Sequence, residues 1–548
     1  MGRSAERAPS RGRRWKIAVT AVLGGVLAAF LGTEALHRLA FARPELNLGS
    51  LGPWIRDPSA YADGNNDDDH WKLVARLGGL AAMADAPNPD GTTGWTGLAV
   101  TPGTYAHQDE SSIGERQLVL LYGDSFAACA TPAEECFPAL LQGSDLGSRF
   151  AMLDYGVGGY GLDQSYLLLK NSIDRHAARR PIVIFSLLVE SDFDRTTLAF
   201  RCWPKPRLRL EGEALALEPA PRLSPREYLK THPISFPSYL WRRFLHQDSG
   251  FLRSARAGWR GDERREELKR RLNLSILAAV RAELEARELP YFFLVFHAEQ
   301  GALKPWAPFR EREQLLGDFC REHSVGLLDT REFLWAACAG DEALVARFYG
   351  RGSPLMGHHN LLGNRVCFEA MRQGILARAA GPGEPPSAEP LGPADTSRVA
   401  EMAARGELDL LALQRRRATL LGRPALITTH GAGDAERVVE TATPSRVCLR
   451  ADTTGFTAAD LELDGGARRF TGRLHLLAGA EQGCPETPLH FTLLVDDRTL
   501  FEGDVPEEAR PAILDVDLAG ARNLRFVLRG QRGQGACGWA ALSDPRLE

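Results

Sequence analysis

The stretch Leu118-Val119-Leu120-Leu121-Tyr122-Gly123-Asp124-Ser125-Phe126 decides the fold of this chain. The apolar run from Gln117 to Tyr122 predicts a buried strand, and it stops at a glycine that allows a sharp turn. In open α/β sheets, active sites lie outside the carboxyl ends of the strands, and a helix that begins there directs its positive end at the turn. The pattern therefore predicts an exposed nucleophile at Ser125, the alternative being an ordinary turn or helix cap.

Three later segments have the composition of loops at the same sheet edge. Met152 to Gly161 is a strand end followed by a glycine loop, and the apolar run Ile182 to Val189 ends in Glu190-Ser191-Asp192. Gly357-His358-His359-Asn360 precedes a helix predicted over Leu361 to Ala380. Together with Gly-Asp-Ser, and in this order, these segments resemble the sequence blocks of the SGNH (GDSL-type) hydrolase family. The resemblance covers roughly residues 98 to 380.

The resemblance implies a role for each matching residue. Ser125 is the nucleophile and His358 is the general base. The N–H groups of Ser125 and Gly159, with the hydroxyl of Ser191, form the oxyanion hole. His358 is favoured over His359 because it lies two residues before Asn360, the spacing seen in the family.

The chain departs from the family pattern at two places. Ser191 stands where the family usually carries Asn, and Leu355 and Met356 stand where it places the Asp that orients the histidine. Asp329, at the end of the apolar run from Val325 to Leu328, is an alternative carboxylate for that task. The departures leave open a degenerate site that no longer catalyses a reaction.

No cofactor or metal is expected. His358 and His359 could instead form a surface pair or a metal site, but three-ligand zinc spacing is absent. The segment from Asp63 to Asp69 alternates carboxylates and amides, as calcium loops do. It lacks the glycine and the terminal glutamate of such loops, so we predict a solvated acidic loop.

The N-terminus has the pattern of a membrane anchor. Basic residues are frequent in residues 1–16, and residues 17–33 carry no charge. We predict a cytoplasmic N-terminus, a transmembrane signal anchor over residues 17–39, and main domains that are periplasmic or extracellular. A small-residue pattern at Thr33 and Ala35 leaves the alternative of a cleaved signal peptide and a secreted chain.

Composition limits the remaining possibilities. The 548 residues are 44% hydrophobic and 25% charged, which allows two or three domains with large cores. The net charge of −4 gives no electrostatic footprint for nucleic acid. Nine cysteines without a Cys-x-x-Cys pair suit an exported chain, and we predict that Cys129 can pair with Cys136 and Cys484 with Cys537.

The fold class predicted for residues 44–380 is α/β, with a parallel sheet flanked by helices. A helix over Asp262 to Arg287 and a strand over Tyr291 to Phe296 continue the alternation. Residues 200–254, approximately, form an insertion that opens with a hairpin over Leu208 to Leu217. A Pro-rich linker (381–398) and a helical connector (399–444) follow.

The last hundred residues have a different pattern. From about residue 445 apolar and polar residues alternate, as in Leu514, Val516 and Leu518, which predicts an antiparallel β-sandwich over residues 445–548. Segments such as Leu489 to Asp497 resemble the NPCBM family, a jelly-roll carbohydrate-binding module found beside glycosyl hydrolases. The resemblance implies a glycan partner, with Trp539 as a possible sugar contact and a core position as the alternative.

Together these features predict a membrane-anchored, extracytoplasmic esterase. It would act through a Ser-His site on O-acyl groups of a cell-surface or periplasmic polysaccharide. The alternatives are an O-acyltransferase, a hydrolase of lipids or small esters, and a non-catalytic glycan-binding surface protein that keeps a degenerate hydrolase fold.

Overall fold

The structure is a computed structural model of the full chain. The structure describes residues 11–79, 89–96, 110–131, 135–201, 203–246, 260–303, 307–350, 357–379, 391–405, 408, 426–430, 446–450, 456–462, 468–476, 489–496, 498–507, 510–518, 520–521, 523–530 and 539–547. Two units can be distinguished. The first comprises Met1–Ala81, Leu198–Pro204 and Arg222–Glu267, and the second comprises Ala82–Thr197, Lys205–Pro221 and Leu268–Glu548. The predicted insertion is therefore divided between them.

The first unit is built around helix α1 (Arg11–Ala42), whose part Val19–Ala42 is long and apolar enough to cross a membrane. A small aromatic core surrounds the end of α1 and includes Phe41, Tyr61 and Tyr239. The other helices of this unit are Leu51–Ile55, Asp68–Val74, Pro225–Thr231 and α2 (Tyr239–His246), with a 3-10 turn at Pro58–Ala60 and short strands at Phe200–Arg201 and Trp203–Pro204.

The second unit contains the predicted parallel sheet. Its strands are β1 (Gln117–Gly123), β2 (Phe150–Gly156), β3 (Ile182–Leu188), β4 (Tyr291–Phe296) and β5 (Leu327–Asp329). Their order is β5-β4-β3-β1-β2, and every pairing is parallel. The strands are almost continuously apolar because helices cover both faces of such sheets. The α/β class is confirmed.

Helices follow the strands of the sheet, as predicted. Those of the second unit and of the segment that leads into it are Ser125–Ala128, Phe137–Gln142, Leu162–Ser172, Asp192–Arg195, Arg260–Glu285, Glu299–Leu303, Ala307–Glu322, Thr330–Ala337, α3 (Leu361–Arg378) and Ser397–Ala404. The predicted hairpin is confirmed, with Arg207–Glu211 paired to Ala214–Glu218 so that Leu208 lies opposite Leu217.

The C-terminal part forms two antiparallel sheets. The strands are β6 (Leu426–His430), β7 (Arg446–Arg450), β8 (Phe456–Glu462), β9 (Arg469–Leu476), β10 (Leu489–Val495), β11 (Arg498–Asp504), β12 (Ala512–Asp517), β13 (Asn523–Gly530) and β14 (Trp539–Leu547). One sheet has the order β6-β8-β13-β10-β11 and the other β7-β14-β9-β12. Phe470 of one sheet and Phe526 of the other pack with ring centroids 5.5 Å apart, so the predicted sandwich is confirmed.

The region predicted as a helical connector differs from that expectation. Helix is present at its start, in Ser397–Ala404, whereas Leu426–His430 is a strand paired with Phe456–Glu462. The apolar and β-branched residues of Leu426 to Thr429 favour a strand once a sheet edge is available to pair with it. The sandwich therefore begins earlier than residue 445.

Candidate active site

Ser125 lies just beyond the carboxyl end of strand β1, an inner strand of the parallel sheet. Strand β1 is flanked by β3 and β2, and Ser125 begins the short helix that follows it. Asp124 caps this helix by accepting a hydrogen bond from the N–H of Phe126 at 2.8 Å. A side chain at Gly123 would place its Cβ 2.1 Å from Ser186 Oγ and 2.9 Å from Ala127 Cβ, so the glycine lets the strand end pass close to both residues. The sequence pattern thus produces a fixed and partly exposed serine.

His358 is brought to Ser125 by the segment before α3. Its Nε2 lies 2.8 Å from Ser125 Oγ, although the two residues are 233 positions apart. The backbone carbonyl of His358 accepts a hydrogen bond from Gly350 N–H at 2.9 Å. Asn360 caps α3 by accepting from the N–H groups of Leu362 and Gly363. These backbone contacts hold the imidazole against the serine.

His359 points into the core instead. It is buried, and its ring packs against the rings of Phe126, Phe296 and Tyr349 at centroid distances of 4.9, 5.8 and 4.9 Å. Burial, with nearby His358 as a smaller cause, lowers the pKa of His359 to about 3. His359 is therefore neutral at ordinary pH, and it faces the core, whereas His358 faces Ser125.

The other two predicted oxyanion donors follow the strands on either side of β1. Gly159 follows β2 and has a φ of +85°, which glycine adopts without strain. Ser191 follows β3 and is buried, with its Oγ 3.5 Å from Asp192 Oδ1. A Cβ at Gly156 would lie 2.1 Å from the backbone nitrogen of Ala128, so the glycine segment passes directly against the Ser125 helix.

Arg195 connects the three loops and was not identified from sequence. Its buried guanidinium donates to Tyr160 O at 2.9 Å, to Asp192 Oδ1 at 3.1 Å and to Asp124 Oδ2 at 3.3 Å. Each acceptor belongs to a different loop at the sheet edge. The sequence pattern that could have indicated Arg195 is the charge-rich segment from Glu190 to Arg195, which directly follows an apolar strand.

A disulfide shapes the loop after Ser125. Cys129 and Cys136 are bonded, as the sequence suggested. Asn364 of α3 donates to Thr131 Oγ1 at 2.9 Å and to Glu135 O at 3.2 Å within this loop. The helix that follows His358 therefore also fixes the loop that follows Ser125.

A second histidine occupies the end of β4. His297 is fully buried, and its ring nitrogens lie 3.1 Å from Glu190 Oε1 and 2.8 Å from Asp329 Oδ1. Burial alone would lower the pKa of His297, but the carboxylates of Asp329 and Glu190 raise it to about 10. The structure thus places the Asp329 carboxylate, which the sequence offered as an alternative partner for His358, on His297 instead.

Several predicted residues have no described side chain. Trp539 begins β14 and its backbone pairs with Arg450, but its side chain lies outside the described residues. Met356, Cys484 and Cys537 also lie outside them. Within the described ranges, no group of three or more His, Cys, Asp and Glu side chains is arranged to hold a metal ion.

Comparison with known proteins gives likeness in structure over parts of the chain. No family model matches it, and no curated protein matches it. The acetyl xylan esterase AlAXEase is 13% identical with a TM-score of 0.27, over 47% of this chain and 99% of that one. A CBM51 module from Clostridium perfringens, solved with methyl-galactose, is 17% identical with a TM-score of 0.16, over 22% and 81%.

A third solved structure matches a similar share of the chain. The tandem CBM51 modules of the family 98 glycoside hydrolase from Streptococcus pneumoniae are 8% identical with a TM-score of 0.17. The match covers 22% of this chain and 40% of that one, which is less than half of its length. The likeness to acetyl xylan esterases thus covers about half of the chain, and the likeness to carbohydrate-binding modules covers about a fifth of it.

Proposed function

We propose that the chain is an ester hydrolase in which Ser125 is the nucleophile and His358 is the general base. The observation that carries the proposal is the 2.8 Å contact between His358 Nε2 and Ser125 Oγ at the carboxyl edge of a parallel sheet. Nucleophile and base within hydrogen-bond distance are the first requirement of acyl transfer through a serine.

The reaction follows from this contact. Ser125 Oγ attacks the carbonyl carbon of the ester while His358 Nε2 accepts the serine proton. The N–H groups of Ser125 and Gly159 and the hydroxyl of Ser191 donate to the oxyanion that forms. The carbon–oxygen bond then breaks, and His358 gives the proton to the departing alcohol. Water, activated by His358, releases the acyl group from Ser125.

The proposed substrate is an O-acylated polysaccharide at the cell surface or in the periplasm. The NPCBM-like pattern of the C-terminal residues, which lie in a two-sheet sandwich, supports a glycan partner. A domain that binds the polymer raises the local concentration of its ester groups around Ser125. Transfer of the acyl group to a second sugar hydroxyl uses the same acyl-serine and is an outcome that the assay below distinguishes.

A retained anchor, rather than a cleaved signal peptide, is supported by Glu34. This residue is buried in the first unit, where it accepts hydrogen bonds from Ser238 Oγ at 2.8 Å and from the N–H of Leu240 at 2.9 Å. Cleavage after Ala35 would remove this acceptor from the start of α2. We therefore propose that α1 stays attached and that the domains after it are extracytoplasmic.

A fluorophosphonate probe on the full-length chain in detergent tests the catalytic pair. The parent should be labelled and Ser125→Ala should not, because the probe reports an activated serine without requiring the substrate. His358→Ala should slow labelling by about a hundredfold or more, the usual contribution of a general base. His359→Gln is the matched control and should keep most of the labelling, since His359 faces the core.

Two outcomes would reject the proposal: labelling that persists in Ser125→Ala, or a folded parent that is never labelled. The substrate is tested by acetate release from acetylated polysaccharides, with Ser125→Ala as the blank. If Ser125 is labelled but no acetate is released, acyl transfer from a nitrophenyl ester to deacetylated polysaccharide is measured. Transfer without hydrolysis would identify an O-acyltransferase.

A further inference from the structure

Helix α2 buries a charged side chain inside the protein and exposes two aromatic side chains on its outer face. Arg243 is buried, with its guanidinium 3.8 Å from the centroid of the Trp54 ring and donating to Trp54 O at 2.7 Å. Trp241 and Phe244 are 54% and 55% exposed. Their ring centroids are 5.8 Å apart, so they form one aromatic pair on the outer face of the helix. In water this arrangement exposes large apolar surface that a monomeric soluble protein usually buries.

More exposed apolar side chains lie around the same end of α1. Leu39 is 46% exposed, and Leu51 and Trp54 of the neighbouring short helix are 54% and 52% exposed. That short helix is attached to α1 through Arg56, whose Nε donates to Ala40 O at 3.1 Å. The exposed residues are thus gathered where α1 enters the folded part of the first unit.

The position of α2 along α1 is fixed by hydrogen bonds. Glu34 accepts from the N–H of Tyr239 at 3.2 Å and from that of Leu240 at 2.9 Å, and it directly follows the uncharged residues 17–33. Seventeen helical residues span about 25 Å at a rise of about 1.5 Å each. The hydrocarbon core of a bilayer is about 30 Å thick. With the uncharged residues 17–33 crossing the hydrocarbon, as the proposed anchor requires, the start of α2 lies near the depth where the hydrocarbon meets the headgroups.

We infer that the outer face of α2, carrying Trp241 and Phe244, is a second membrane-contacting surface that inserts into the phospholipid interface beside the proposed anchor α1. Tryptophan is enriched at this depth because its ring is apolar and its N–H is polar. Insertion removes the exposed rings from water and leaves Arg243 paired inside the protein. The inference rests on the proposed anchor and adds a lipid-facing surface outside the membrane-spanning helix α1.

Photocrosslinking to lipid tests the inference on the full-length chain. A benzophenone amino acid replaces Trp241 or Phe244, and the protein is reconstituted into phosphatidylcholine vesicles that contain an alkyne-tagged phosphatidylcholine. Leu27, 59% exposed in the uncharged helix, is the positive control, and Ile513, 69% exposed in the C-terminal sandwich, is the negative control. Thermal unfolding of each variant, compared with the parent, verifies the fold before irradiation.

We expect lipid adducts at Trp241 and Phe244 at several times the level found at Ile513. Adducts at Leu27 together with background levels at both α2 positions would overturn the inference and leave the anchor intact. Background levels at Leu27 as well would reject the anchor and this inference together. Crosslinks from α2 to protein, whether to a second copy or to another chain, would also overturn it, because they would identify a protein-docking face.

Discussion

Two buried histidines give the free energy of unfolding opposite dependences on pH. The pKa of His297 is raised to about 10 by the carboxylates of Asp329 and Glu190, and the pKa of His359 is lowered to about 3 by burial. In the unfolded chain both groups titrate near 6.5. We therefore expect stability to decrease on both sides of about pH 6.5.

The alkaline side comes from His297. Between about pH 6.5 and pH 10 the folded chain holds a proton on His297 that the unfolded chain has released, so stability decreases as pH rises. The slope is at most about 1.4 kcal/mol per pH unit. Over the 3.5 units between the two pKa values the loss is at most about 5 kcal/mol.

The acid side comes from His359. Between about pH 6.5 and pH 3 the unfolded chain binds a proton that buried His359 does not, so stability decreases as pH falls. The shift is of similar size and opposite sign, which gives the same upper limit of about 5 kcal/mol. The aromatic rings around His359 leave no room to hydrate an imidazolium.

The assay is urea unfolding of the parent, His297→Gln and His359→Gln, followed by fluorescence at pH values from 4 to about 9. Glutamine does not titrate, so the difference between parent and variant reports the histidine together with the neighbouring groups whose pKa it shifts, such as Asp329 beside His297. His297→Gln should approach the parent in stability as pH rises, and His359→Gln should gain on it as pH falls. Parallel curves for parent and variant over the relevant range would refute the reasoning for that histidine.

Two substitutions test how the active-site loops are held together. Arg195→Leu should lower the free energy of unfolding by about 3–5 kcal/mol, because it leaves buried carboxylates without their cation, and it should slow fluorophosphonate labelling of Ser125. Arg195→Lys should recover part of the stability and part of the labelling rate. An unchanged labelling rate in Arg195→Leu would contradict the positioning role of Arg195. Gly156→Ala should lower the urea midpoint and the labelling rate, since its Cβ would lie 2.1 Å from the backbone nitrogen of Ala128. Gly158→Ala is the control and should match the parent, because its Cβ would meet no atom within 4 Å. Equal effects of the two substitutions would contradict the steric argument.

The sequence by itself determined the strands of the parallel sheet and the edge at which chemistry is expected. Near-continuous apolar runs such as Gln117–Gly123 and Ile182–Leu188 are readable because a strand covered on both faces excludes polar residues. The helix cap at Asp124 is equally local, since it joins residues two positions apart. The alternation of apolar and polar residues from about residue 445 predicted the sandwich, because each of its strands buries one face.

Only the tertiary structure decided which side chains meet. The contact of Ser125 with His358 joins residues 233 positions apart. The spacing to Asn360 favoured His358 over His359, but only the fold turns one ring towards the serine and the other into the core. Arg195 is an ordinary charged residue in the sequence, and its role exists only where three loops converge on it. Asp329 likewise follows a strand as predicted, yet its partner is His297, because neighbouring parallel strands place these two side chains at one edge of the sheet.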